Sequence, residues 1–244
     1  MKTILFDTET SSFPEDNPNN DILIQLCYSI LEENSIYSTY LKPKNLNINP
    51  RAMSIHHITP EFLEDKESKE ESKIFQDFKN LLESDEEKIL IAHNIKFDYE
   101  IIQLAGIEPN NCKLICTLKV TEFLNDKQKL IYENNKLQYM KYYYRLDKKV
   151  QETSKRFNIN IEDLSAHDAR HDVIDLICYY EFILEEFKAS IESLLEVSNN
   201  PLLLTYVPFG KNRGEKFTDL NSNQLRYYET LDGDIAYTAY KILN

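Results

Sequence analysis

Asp7 and Glu9, in Phe6-Asp7-Thr8-Glu9-Thr10, are two carboxylates one residue apart at the end of a short apolar run, Ile4-Leu5-Phe6. Side chains alternate along an extended strand, so both acids point to the same side. Two carboxylates held side by side resist joint ionisation. A hard divalent cation relieves that conflict, because Mg²⁺ favours carboxylate oxygens and commonly bridges to phosphate. The chemistry indicated is a divalent-metal site, provided the chain brings further acids to it.

Two further junctions carry such acids. Asp98 ends His93-Asn94-Ile95-Lys96-Phe97-Asp98, directly after the apolar run Lys88–Ala92, and Asp172 ends His167-Asp168-Ala169-Arg170-His171-Asp172. Both stand where a strand gives way to a helix or a helix begins, the region where an open α/β sheet places its ligands. A lone Asp at a helix start is ordinarily a cap, and a lone histidine such as His167 is ordinarily a solvated surface residue. Their joint occurrence is what points to one site. On a continuous helix His167 and Asp172 would be about 140° apart, so convergence requires His167 to sit in a loop or first turn. Ser165 as helix N-cap nearly allows that. A histidine so placed, with a pKa near neutrality, can take a proton from an attacking water.

The positioning elements follow from periodicity. After the first strand, residues 11–20 are a polar loop. Ile22–Leu31 and Ser35–Leu41 read as strands of a meander, and Arg51–Pro60 reads as a loop or short turn. Ile74, Phe75, Phe78, Leu81 and Leu82 recur at helical spacing. Lys88–Ala92 suits a buried central strand, and Phe97, Ile101 and Leu104 mark a helix ended by Gly106. Lys113–Thr117 reads as a strand leading into a helix through Leu124. Ala169, Val173, Leu176, Ile177, Tyr180 and Leu184 form the core stripe of a later helix. Asn199-Asn200-Pro201 is the best boundary, which divides the chain into residues 1–188, a helical linker 189–200 and a small module 201–244. In that module Gly210 and Gly214 bracket Lys211-Asn212-Arg213, expected as a tight turn closing a small hairpin.

Composition narrows the class. At 244 residues and 42% hydrophobic content the chain supports a real core. No apolar run approaches the length of a membrane span, and Asp7 interrupts the N-terminal run too early for a signal peptide, so a cytoplasmic protein with no membrane partner is expected. Cys27, Cys112, Cys116 and Cys178 form no CxxC pair and read as reduced thiols. The net charge of −13 runs against the basic footprint usual for nucleic-acid proteins, but the charge is uneven. Residues 61–87 hold eleven acids against four lysines. Residues 136–156 hold seven basic residues against two acids, interleaved with Tyr139, Tyr142, Tyr143 and Tyr144. Aromatic rings in a basic groove are how single strands are held, while half-buried tyrosines with solvated lysines are the structural alternative.

The three acidic segments, in this order and with the H-x-A-x-x-D form of the last, resemble the motifs of the DEDDh 3′→5′ exonucleases, a group that includes ribonuclease T, oligoribonuclease and proofreading subunits. Within that group, Ala52–Thr59, Ile115–Lys119 and Pro208–Gly214 are similar to segments of the exodeoxyribonuclease X-like branch and its C-terminal module. The stretch from Lys119 to Ser165 departs from that branch, being longer and rich in Tyr and Lys.

The resemblance implies an α/β fold, an RNase H-like mixed five-stranded sheet flanked by helices, with a small C-terminal α+β module. It implies two-metal phosphodiester hydrolysis with two Mg²⁺ ions, Mn²⁺ being a substitute. Asp7, Glu9, Asp98 and Asp172 would hold the metals, and His167 would be the general base. Thr10, His56, Ile58, Phe97 and His167 would contact the terminal nucleotide; for Ile58 and Phe97 core packing is an equal alternative. The implied partner is DNA with a 3′ end, preferably single-stranded. RNA trimming and polymerase proofreading are the alternatives, with a catalytically silent nucleic-acid-binding protein ranked below them.

Overall fold

Ile4 and Phe6 face one way from the first strand and Leu5 the other, and all three are fully buried, so this strand is central and covered on both sides. In the computed structural model, which describes residues 1–16, 21–128, 134–161, 164 and 167–244, it runs as β1 (Lys2–Thr10). β2 (Leu23–Ile30) and β3 (Ser35–Tyr40) follow it. Next come the short helices α1 (Pro50–His56) and α2 (Pro60–Leu63), then α3 (Lys73–Glu83), β4 (Lys88–Ala92), α4 (Ile95–Leu104), β5 (Cys112–Cys116) and α5 (Thr117–Gln128). The remaining helices are α6 (Leu137–Tyr143), α7 (Asp147–Arg156), α8 (Ala169–Glu186), α9 (Ile191–Asn199), α10 (Ser222–Glu229) and α11 (Gly233–Leu243).

The strands form one five-stranded sheet of order β3-β2-β1-β4-β5. β1, β2 and β3 pair antiparallel as a meander, and β4 and β5 join parallel to β1. One face packs Ile4, Phe6 and Leu90 against Phe75 and Phe78 of α3 and Ile101 and Ile102 of α4. The other packs Leu5, Ile89, Ile91 and Ile115 against Val173, Leu176, Ile177 and Tyr180 of α8 and Met140 of α6. This is the mixed, helix-flanked α/β sheet expected. Residues of the C-terminal segment gather a separate apolar cluster around Val207, Phe217, Leu225, Tyr228 and Ala239. Its turn is a small hairpin: Val207 and Gly214–Glu215 exchange backbone hydrogen bonds at 2.9 Å, with Gly210 and Gly214 at positive φ, where a Cβ would be strained. All four cysteines are free.

Three local expectations change. Residues 51–60 are not a loop. Asn49 accepts a hydrogen bond from the Arg51 N–H with Pro50 at the first helical position, and Thr59 caps α2 with Pro60 in the same place. Each pair is a helix start. Ser165 lies outside the described residues, and α8 is capped instead by Asp168, whose side chain accepts from the Arg170 N–H. The basic 136–156 stretch breaks into α6 and α7 at Arg145, which has φ 55°. Much of its charge is committed internally. Lys141 is buried and paired with Asp175 at 2.7 Å, Lys149 meets Glu185 at 3.0 Å, and Arg156 meets Glu181 at 3.1 Å. Tyr144 packs on Phe182 with ring centroids 4.5 Å apart. A nucleic-acid groove along this stretch thus loses Lys141 and Lys149, while Tyr142, Tyr143, Arg145 and Lys148 stay exposed.

Candidate active site

Asp7 and Glu9 lie in the last turnings of β1, opposite Cys27 and Gln25 of β2. Alternation puts them on the Leu5 face, the face that α8 covers, so Asp172 in the first turn of α8 meets them. One carboxylate oxygen from each of Asp7, Glu9 and Asp172 lies within 4.8 Å of the others. The intervening Thr8 faces the other side and engages α4: its N–H and hydroxyl donate to Oδ1 of Asp98 at 3.0 and 2.7 Å. Asp98, only 3% exposed, is thereby held against the strand end that carries the other two acids.

The electrostatics are those of crowded, buried carboxylates. Burial raises Asp7 well above the ordinary range, and the charges of Asp98, Asp172 and Glu9 raise it further. Burial and the charges of Asp172 and Asp98 push Glu9 up to about 9. Burial raises Asp98 to about 7 against the lowering effect of the Thr8 hydrogen bonds, and burial with the Asp175 charge raises Asp172 to about 7. Oδ1 of Asp172 is buried without a hydrogen-bond partner. An all-carboxylate donor set with an unsatisfied buried oxygen fits a hard divalent cation such as Mg²⁺ or Mn²⁺.

His167 precedes α8 by two residues and has φ 61°, so it is outside the helical register that would have turned it away from Asp172. Its half-buried ring makes no hydrogen bond among the described residues. Burial lowers its pKa, helped by Lys136, His57 and His171, which favours the neutral ring. The loop is fixed from its next residue. Asp168 accepts from Gln25 Nε2 at 2.9 Å, the Tyr40 hydroxyl at 3.0 Å and the Arg170 guanidinium at 2.7 and 3.0 Å. Sequence reasoning missed Asp168, Gln25, Tyr40 and Arg170; the local signal was an Asp immediately before the apolar stripe of α8.

The remaining predicted residues separate by role. His56 is buried with both ring nitrogens engaged: Nδ1 accepts from the Ile58 N–H at 2.9 Å, so Nε2 carries the proton and donates to the Thr10 carbonyl at 3.1 Å. It ties α1 to the end of β1 and has no ring nitrogen left for a nucleotide. Ile58 is 6% exposed in a cluster with Ile24, Ile48 and Leu63, Thr10 is buried, and Phe97 packs partly buried on the α3–α4 core. His93, which burial lowers to about 4, bridges Thr117 Oγ1 at 3.0 Å and the Asn135 carbonyl at 2.8 Å and is structural.

The order of strands and helices and the cluster of acids at the end of β1 define an RNase H-like exonuclease fold. The model of the exonuclease family that includes ribonuclease T matches residues 4–177, and the chain belongs to this family, in its DEDDh-type group. Among solved structures, exonuclease X in complex with 5′-overhanging duplex DNA aligns with TM-score 0.55 at 18% identity, over 81% of this chain and 99% of that one. The zinc-bound E. coli exonuclease I–single-stranded DNA complex aligns at 0.50 and 18%, over 76% of this chain and 40% of that one. Cell-death related nuclease 4 aligns at 0.53 and 16%, over 76% and 64%. No curated protein matches the sequence. Among the described residues no helix is long and apolar enough to cross a membrane.

Proposed function

We propose that the chain is a divalent-metal-dependent 3′→5′ exonuclease that removes nucleoside 5′-monophosphates from DNA 3′ ends, preferably single-stranded. The observation that carries this reading is the convergence of Asp7, Glu9 and Asp172 within 4.8 Å, with Asp98 held beside them by Thr8. These four carboxylates would hold two Mg²⁺ ions. When bound, such ions neutralise the phosphate and stabilise the attacking and leaving oxygens. In the reaction, water adds to the terminal phosphorus and gives its proton to His167, while the bond to the upstream 3′ oxygen breaks and that oxygen takes a proton from solvent to become the new 3′-hydroxyl. Asp168 and its partners position the His167 loop, and His56 positions Thr10 and Ile58 beside the terminal nucleotide. Residues 1–188 would form the catalytic domain, with 189–200 as linker and 201–244 as an appended module.

The choice of DNA draws support from that appended segment, for which a small RNA trimmer has no evident need, and from the DNA bound in the exonuclease X and exonuclease I structures. Matched DNA and RNA oligonucleotides, labelled at either end and incubated with Mg²⁺ or with a chelator, test the reading. Metal-dependent shortening from the 3′ end, faster on single-stranded DNA, is expected. Faster trimming of RNA would reassign the substrate, and no shortening of either polymer would reject the enzyme.

A further inference from the structure

Asn135 and Lys136 lead into α6 between two anchors. On one side the Asn135 carbonyl sits 2.8 Å from Nε2 of His93. A carbonyl can only accept, so Nε2 carries the proton of the neutral ring and donates it here. His93 directly follows β4, whose Leu90 and Ile91 pair with Ile4 and Leu5 of β1. Carried on by two residues, that register brings His93 level with Asp7. On the other side Leu137 and Met140 are buried in one cluster with Val173, Leu176 and Ile177 of α8, and Lys141 pairs with Asp175 at 2.7 Å. Lys136 is thereby held between the end of β4 and the first turns of α8, the two elements that flank the acids of β1.

Its backbone is fixed while its side chain is left to solvent. The Lys136 N–H donates to Asn134 Oδ1 at 3.0 Å, and the exposed ammonium pairs with no carboxylate among the described residues. Two neighbouring cations are committed elsewhere, Lys141 to Asp175 and Arg170 to Asp168, each at 2.7 Å. Lys136 also stands near His167, on which its positive charge acts.

The charge balance of the reaction calls for such a group. Four ionised carboxylates balance two divalent cations, which leaves the phosphodiester's own negative charge over, and the attack of water concentrates charge on that phosphate. In-line displacement puts the attacking water opposite the leaving 3′ oxygen. The base that takes its proton therefore stands on the side of the phosphorus away from the upstream strand. A cation beside His167 meets the phosphate being cleaved, not one further up the strand.

We infer that Lys136 is a further catalytic residue, whose ammonium pairs with a non-bridging oxygen of the scissile phosphate beside His167. It forms and breaks no bond; it holds positive charge where negative charge develops. This rests on the exonuclease reading and adds to it a residue from the stretch in which the chain departs from the exodeoxyribonuclease X-like branch.

The test follows release of the 3′-terminal mononucleotide from a 5′-labelled oligodeoxyadenylate in Mg²⁺ at saturating strand. Inhibition by the product, 2′-deoxyadenosine 5′-monophosphate, is the second readout. Lys136→Met should lower turnover about 10²-fold and weaken the inhibition about tenfold. Lys136→Arg should restore most of both, and the Mg²⁺-induced Tm shift should match the parent's because the acids are untouched. Lys188→Met removes an equal charge from an exposed site past the far end of α8, roughly 20 Å from Asp172, and should trim at the parent rate. Parent-like turnover and inhibition in Lys136→Met would overturn the inference and leave the exonuclease reading intact. A loss of turnover with inhibition unchanged, or without rescue by arginine, would mark a structural role and overturn it too. So would an equal loss in Lys188→Met. A parent chain that trims no strand would remove the exonuclease reading and the role of Lys136 together.

Discussion

Thr8 donates twice to one oxygen of Asp98, through its backbone N–H at 3.0 Å and its hydroxyl at 2.7 Å, across 90 residues of sequence. The strand that carries Asp7 and Glu9 on one face therefore orients a third acid from its other face. Thr8→Val keeps the shape and the backbone donor but removes the hydroxyl. Partners that orient metal-binding carboxylates are typically worth about 10–100-fold in metal affinity or activity. The half-saturating Mg²⁺ concentration for cleavage should rise by about that factor; an unchanged metal dependence would show that Thr8 does not orient a ligand.

The crowding of the acids gives a pH-dependent stability with a defined sign. An acid whose folded pKa lies above its unfolded value holds its proton more tightly when folded, so its ionisation costs stability as pH rises. Free of metal, the fold is favoured by protonated Asp98 and Asp172. It loses that contribution as pH climbs through about 7, and loses more towards about 9, where Glu9 ionises. Asp168, lowered by Arg170 and Gln25, acts oppositely and weakens the fold as pH falls through its folded value, so the informative quantity is the metal-induced shift. Saturating Mg²⁺ should raise Tm more at pH 8 than at pH 5, by at least about 4 °C. Equal shifts at both pH values would contradict the site.

Lys141 and Asp175 form an ion pair at 2.7 Å whose side chains are 9% and 0% exposed, with His171 Nε2 3.2 Å from the ammonium. Removing one partner of a buried pair leaves an uncompensated charge, so Lys141→Met should cost about 3–5 kcal/mol in urea unfolding. The double variant Lys141→Met/Asp175→Leu should recover most of that loss. A single variant within about 1 kcal/mol of the parent would show that the pair does not hold α6 on α8.

His167→Ala should lower turnover by about 10²–10⁴-fold, the usual worth of a general base, while the Mg²⁺-induced Tm shift persists. Full turnover in the variant would take His167 out of the reaction.

What could be read from the sequence was what repeats locally. Asp7 and Glu9 share a face because strand side chains alternate, and the stripes of α3 and α8 appear at helical spacing. Lys88–Ala92 announces a central strand by its unbroken apolar run. The helix starts at Asn49-Pro50 and Thr59-Pro60 were also present as cap-and-proline pairs, but the few apolar residues around them made the segment resemble a loop. Long-range polar contacts left no periodic trace. Gln25 and Asp168 are 143 residues apart, Lys141 and Asp175 are 34 apart, and a lysine's burial depends on a partner that only folding brings to it. The 136–156 stretch resembled a solvent-facing basic surface for the same reason.

Asp172 contributes both a carboxylate oxygen to the cluster with Asp7 and Glu9 and a buried oxygen without a partner. Asp172→Asn preserves its size and removes its charge. Release of the 3′-terminal mononucleotide from a 5′-labelled single strand in Mg²⁺ should fall by at least about 10²-fold in this variant, with the fold retained by circular dichroism. Release at the parent rate would contradict the assignment of the reaction to these acids.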